Sequence, residues 1–204
     1  MKKIFLHGLG QTKAAWDDVI SGDPQAVAMD LYEHLKEGEC DFATLERSVF
    51  ESLDREEAAF HLCGLSLGGV LALRYAASRP ESVHKLILIG TPIYIPRLIM
   101  SLQMAMFRLL KEEKFEGLGL SKKNFISLAQ SLRKIDLSDR LKDIKAPSLV
   151  LVGEKDKMMH KQAQKMAQDI ANADFAVIPG ARHVVNTDQP QELREKIYHF
   201  LNEE

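Results

Sequence analysis

Two hydrophobic patterns alternate along the chain. Short, nearly continuous apolar runs occur at Lys3–Leu6, Ala26–Met29, Ala59–Leu62, Lys85–Ile89, Ser148–Val152 and Phe175–Ile178. In Leu86-Ile87-Leu88-Ile89 and Leu149-Val150-Leu151-Val152 no polar residue interrupts the run. Such segments suit strands covered on both faces, as in a parallel sheet. Between them lie stretches with helical spacing, near Phe42–Leu53, Gly69–Ala77, Met159–Ile170 and Gln191–Leu201. The last follows Pro190 and puts Leu193, Ile197 and Phe200/Leu201 on one face. Alternating strands and helices predict an α/β fold with right-handed crossovers and about six strands, mostly parallel, with helices on both faces.

One stretch breaks the rhythm. Between Gly90 and Ser148 there is no strand signal, and the interval is too long for a plain crossover. It predicts a helical insertion, so that 1–91 and 142–204 form the core and 92–141 a cap or lid. On a helical wheel for Ile95–Lys111, one face collects Ile95, Leu98, Ile99, Leu102, Met106, Leu109 and Leu110. Met100, Met104 and Phe107 lie beside it, leaving a polar strip of Arg97, Ser101 and Arg108. A helix this apolar is packed on more than one side or covers an apolar pocket. In the second case Ile95, Ile99, Met100, Met104 and Phe107 are the candidate substrate contacts, methionine being adaptable to varied apolar ligands.

Composition narrows the function. With 204 residues, 46% hydrophobic, the chain can build one sizeable core. A net charge of −2 gives no general pull toward nucleic acid or an anionic membrane. No run approaches the ~20 apolar residues of a membrane span, and Ile4-Phe5-Leu6 is too short for a secretory h-region. Cys40 and Cys63, without CxxC spacing, fit a reducing compartment, so a cytoplasmic protein is expected. The oligomeric state is not encoded in any of these features.

The chemistry concentrates at Cys63-Gly64-Leu65-Ser66-Leu67-Gly68-Gly69, between a strand and a helix. This is G-x-S-x-G. A serine on so tight a turn is held in strained geometry with its hydroxyl projecting from the sheet edge, and neighbours two residues away must be glycine. The Leu67 amide, at the helix N-terminus, can donate to a developing oxyanion. His183 follows a late strand and the turn Pro179-Gly180; Asp156 ends Gly153-Glu154-Lys155-Asp156 after another strand. The order Ser…Asp…His and these strand-end positions suit a triad in which Asp156 fixes the His183 tautomer that faces Ser66. Glu154, two residues before Asp156, is the other candidate for the acid. Asp188 is expected to open the last helix, and His61 to be a packed strand residue.

Leu6-His7-Gly8-Leu9-Gly10, Gly64–Gly69, Leu151–Asp156 and Pro179–His183 together resemble the α/β-hydrolase family, in particular its small carboxylesterase-like members. The resemblance implies an α/β-hydrolase fold, a small-molecule ester substrate, no cofactor and no metal. It also implies that Asp156 rather than Glu154 is the acid, that the Leu9 amide is the second oxyanion donor and that His7 is a structural residue of the turn. Thioesterase, acyltransferase, lyase or C–C hydrolase chemistry could use the same residues, and so could a ligand-binding protein with a hydrolase shell. Gly8-Leu9-Gly10 with Asp30 imitates a dinucleotide fingerprint, but Lys13 occupies the third small position. The H-E-x-x-H type of metal-ligand cluster is absent from the sequence.

Overall fold

The computed structural model describes residues 1–35, 40–95 and 104–203. Among them one sheet has six strands: β1 Lys3–Leu6, β2 Ala26–Met29, β3 Phe60–Leu65, β4 Val83–Ile89, β5 Ser148–Gly153 and β6 Ala173–Ile178. The order is β2-β1-β3-β4-β5-β6 and every pairing is parallel, so the expected mostly parallel sheet is wholly so among the described residues. Strand β5 is buried along its whole length and β4 at every position but His84, which explains their unbroken apolar runs.

The strand period of two divides the core into two layers. Ile4, Leu6, Leu62, Leu88 and Val150 face one side, beneath helices Phe42–Leu53, Leu67–Ser78 and Lys157–Asp169. Phe5, Cys63, Ile87 and Leu151 face the other, where Leu193 and Ile197 of helix Pro190–Asn202 cover them with Trp16. Capping fixes the helix starts. The Asp41 carboxylate accepts from Thr44 N at 2.8 Å, and Ser121 Oγ accepts from Asn124 N at 3.2 Å.

On the face covered by Pro190–Asn202, Lys3, His61 and Lys85 form one row across β1, β3 and β4. Lys85 Nζ donates to Phe200 O at 2.8 Å and Glu203 O at 2.6 Å, meeting the carbonyl end of the last helix. His61 is buried, its ring lies 5.2 Å from that of His84 at a tilt of 57°, and its Nδ1 has no hydrogen-bond partner. Burial first, then repulsion from His84, Lys3, Lys85 and the N-terminus, pushes its pKa down to about 4.

Between β4 and β5 the described residues form helical turns and no strand. They comprise a helix at 104–109, Glu113–Glu116, Lys122–Ser131 and the 3-10 turns Leu132–Lys134 and Ser138–Asp143. The two stems of this segment are joined by an isolated antiparallel bridge of Tyr94 with Asp136, and Leu137 N donates to Ile93 O at 2.8 Å. The buried Gln162 side chain accepts from Ile93 N at 2.8 Å and Tyr94 N at 3.1 Å. The wheel drawn from sequence is corrected within 104–109. Met104 is buried and Phe107 half-buried, whereas Met106 and Leu109 face solvent. The inward face here is set by the edge-on packing of Phe107 against Phe125, 5.0 Å between centroids. Among the described residues no helix is long and apolar enough to cross a membrane.

Candidate active site

The chain runs from β1 outward to β2, then returns to β3 on the other side of β1. This reversal opens a crevice at the C-terminal ends of the strands, where open α/β sheets bind ligands. Ser66 stands there, between β3 and helix Leu67–Ser78. Its φ of 53° makes it the one non-glycine residue with positive φ among the described residues. Such a conformation costs about 1–3 kcal/mol and persists only where neighbours enforce it. Ser66 N donates to Ile89 O and Val70 N to Ser66 O, both at 2.9 Å. A Cβ on Gly64 would collide with the Gly68 backbone, and one on Gly68 with the carbonyl of Leu6.

His183 Nε2 lies 3.0 Å from Ser66 Oγ, and His183 Nδ1 lies 2.6 Å from Asp156 Oδ2. Asp156 is buried, while the imidazole keeps 42% of its surface exposed. Asp156 is also the N-cap of helix Lys157–Asp169: its Oδ1 accepts from Met159 N at 3.4 Å. One carboxylate oxygen thus serves the helix and the other the imidazole. The expected serine, histidine and aspartate therefore meet in one chain of contacts.

The carboxylates passed over act on the same loop. Glu154 Oε2 accepts from Gly180 N at 2.8 Å, holding the turn before His183. Asp188 does not open the last helix, which Pro190 begins. It ends the short helix Val185–Asp188 and accepts from Arg182 N at 2.7 Å. Partial burial raises the Asp188 pKa, but the Arg182 N–H and guanidinium outweigh it and leave the carboxyl below its ordinary range. A chain turn that brings the loop back on itself gives no periodic signal, so sequence spacing could not assign these two roles.

A cavity of about 140 Å³ is lined by Leu9, Ser66, Leu67, Val70, Pro92, Ile95, Phe107, Leu132 and His183. Of the expected substrate contacts, Ile95 and Phe107 lie on it. Met104 is buried but does not line it. Ile99 and Met100 fall outside the described residues. Leu9 and Leu67 both border the cavity, and Leu67 is the first residue of its helix, where an N–H has no intrahelical acceptor. Val70, Pro92 and Leu132 were missed. Val70 could have been found, because it lies one helical turn beyond Ser66.

His7 is fully buried. Its Nε2 accepts from Leu31 N at 3.0 Å, so Nδ1 carries the proton and donates to Gly8 O at 2.9 Å. Burial lowers its pKa and keeps it neutral, against the upward pull of Gly8 O and Asp30. Tyr32, edge-on to His7 at 5.0 Å, accepts from Gly10 N at 2.7 Å through its hydroxyl. Among the described residues no cluster of three or more His, Cys, Asp or Glu could hold a metal ion.

In sequence and in fold the chain resembles known hydrolases. The profile described as "Alpha/beta hydrolase family" matches residues 4–196. The "Putative carbamate hydrolase RutD" of Rhizobium rhizogenes is 27% identical over 97% of this chain and 91% of its own length. The pimeloyl-[acyl-carrier protein] methyl ester esterase of Nitrosomonas europaea is 32% identical, over 46% of this chain and 39% of its own. In fold, the chain is similar to a hydrolase from Pseudomonas aeruginosa with a TM-score of 0.82, at 21% identity, covering 99% of this chain and 90% of the other. With a match across nearly its whole length, the chain belongs to the alpha/beta hydrolase family.

Proposed function

We propose that this protein is a serine hydrolase that cleaves carboxylic esters of small apolar acyl groups through an acyl-serine intermediate. The observation that carries the proposal is the position of the His183 ring, 3.0 Å from Ser66 Oγ on one side and 2.6 Å from Asp156 on the other. With Asp156 accepting from Nδ1–H, the free lone pair of Nε2 faces the serine hydroxyl. Ser66 Oγ attacks the ester carbonyl as His183 takes its proton. The Leu9 and Leu67 amides donate to the oxyanion, each contributing on the order of 3 kcal/mol to transition-state stability. Collapse expels the alcohol, which takes the proton from His183. A water then repeats the cycle against the acyl-enzyme, releasing the acid and freeing Ser66.

Substrate size follows from the cavity. About 140 Å³ is well below the ~300–1,000 Å³ of pockets for drug-sized ligands, and its walls at Val70, Pro92, Ile95, Phe107 and Leu132 are apolar. This supports a short acyl chain, with the 92–141 segment acting as the lid. Cys40 and Cys63 are free and buried, which suits a reducing compartment such as the cytoplasm.

The test is hydrolysis of p-nitrophenyl esters from acetate to dodecanoate by wild type and Ser66→Ala, with a p-nitrophenyl carbamate alongside. Turnover favouring the short esters, and a loss of about 10³-fold or more in the variant, is the expected result. Equal activity in both proteins would remove Ser66 from the mechanism. Turnover confined to the carbamate would move the substrate class to that of the named Rhizobium relative.

A further inference from the structure

The loop carrying the Leu9 amide has little stiffness of its own. Leu9 lies between Gly8 and Gly10, and Gly10 takes a φ of 82°. A reacting group displaced by about 1 Å can cost about 10²-fold in rate, so such a loop needs bracing. His7 and Tyr32 hold it from the β2 side. On the opposite side Gln11 folds back over the turn. Its Oε1 accepts from Gly8 N at 3.1 Å and from Asn186 Nδ2 at 3.3 Å, and its Nε2 donates to Asn186 Oδ1 at 2.8 Å. Asn186 is 1% exposed and sits on the short helix that starts two residues after His183. The two side-chain amides therefore face each other as a closed pair across 175 positions of sequence.

We infer that Gln11 and Asn186 are positioning residues, whose paired amides fasten the loop aiming the Leu9 N–H to the loop carrying His183. This rests on the acyl-serine reading above. The chemistry of the pair suits the task. Each amide offers both a donor and an acceptor, and the Gly8 N–H, which can only donate, sets Gln11 Oε1 toward it and so fixes which way round the pair closes. It is also uncharged, so the 1% exposed Asn186 side chain brings no unpaired charge into the junction of the two loops. The oxyanion donor and the base then keep one spacing, although they belong to opposite ends of the chain.

The experiment compares wild type with Gln11→Ala, Asn186→Ala and the double variant. Three quantities are read: kcat and KM on p-nitrophenyl acetate, the rate of fluorophosphonate labelling of Ser66, and amide exchange in segments 7–12 and 181–188. Each single variant is expected to lose about 10- to 100-fold in kcat and in labelling, with KM within about threefold. The double variant should be no worse than the poorer single, because the pair acts as a unit. Exchange should rise in both segments whichever partner is removed. Gln11 is only partly buried, so its variant keeps the test available if Asn186→Ala fails to fold. A kcat within about twofold of wild type, strictly additive losses, or exchange rising only beside the substituted residue would each overturn the inference. A wild type inert toward both the ester and the fluorophosphonate would instead overturn the Ser66 reading. The exchange data would then decide the tie alone, joint loosening upholding it and local loosening overturning it.

Discussion

His61 offers a direct measure of what burial of an unpaired imidazole costs this fold. Its ring is buried among Lys3, Lys85 and His84, and Nδ1 lacks a partner. Its pKa falls from the ordinary 6.5 to about 4 on folding. A folded-state value below the unfolded one means stability that is complete above pH 6.5 and is lost as the pH drops toward 4. At pH 7.5 the ring is neutral in both states and the difference is negligible. At pH 5 the unfolded chain holds a proton that the native state refuses, by a factor of about thirty, which costs the native state about 2 kcal/mol. His7 and His34 are also shifted down by burial, so the whole protein loses more than this. Replacing His61 by Leu isolates its share. Urea unfolding of wild type and His61→Leu at pH 7.5 and pH 5 should show the variant losing about 2 kcal/mol less across that interval. At pH 7.5 the variant should match or exceed wild type, because an unsatisfied buried polar atom is gone. Equal losses in the two proteins would refute the assignment of acid sensitivity to His61.

Three more outcomes are expected. Ser66→Gly should raise stability by about 1 kcal/mol in urea unfolding, because relief of a positive φ exceeds the added chain entropy, while ester turnover disappears. Lys85→Met removes the donor that meets Phe200 O and Glu203 O, so it should cost about 1.5–3 kcal/mol and speed amide exchange at the end of helix Pro190–Asn202. Phe107→Ala opens one wall of the cavity beside Ser66, and the preferred p-nitrophenyl ester should lengthen by about two to four carbons as the pocket gains room. An unchanged chain-length profile would take Phe107 out of the acyl pocket.

What could be read from the chain differed by the range of the interaction. The strands β4 and β5 announced themselves, because burial on both faces leaves an apolar run. Ser66 was legible because a tight turn forces glycine at fixed offsets, and Asp156 and His183 because they follow strand ends. The wheel over Ile95–Lys111 failed at Met106 and Leu109 for the opposite reason: which face turns inward was decided by Phe125, eighteen residues past Phe107. The roles of Glu154, Asp188, Tyr32, Gln11 and Asn186 were likewise silent. Each is a side chain bonded to backbone or amide groups brought near by a folded loop or by the sheet, and no local periodicity records such a bond.

The dispersal of the site along the chain has a kinetic consequence. Ser66 and His183 are separated by 117 positions and Gln11 and Asn186 by 175, so no hairpin or single βα unit contains a working set. Contacts that span such lengths form late, after the entropy of closing the intervening chain has been met. During refolding from urea, helical signal should return first, and reactivity of Ser66 toward a fluorophosphonate should return last. The reactive serine thus serves as a clock for the final step of assembly, reporting the moment at which the two ends of the polypeptide meet.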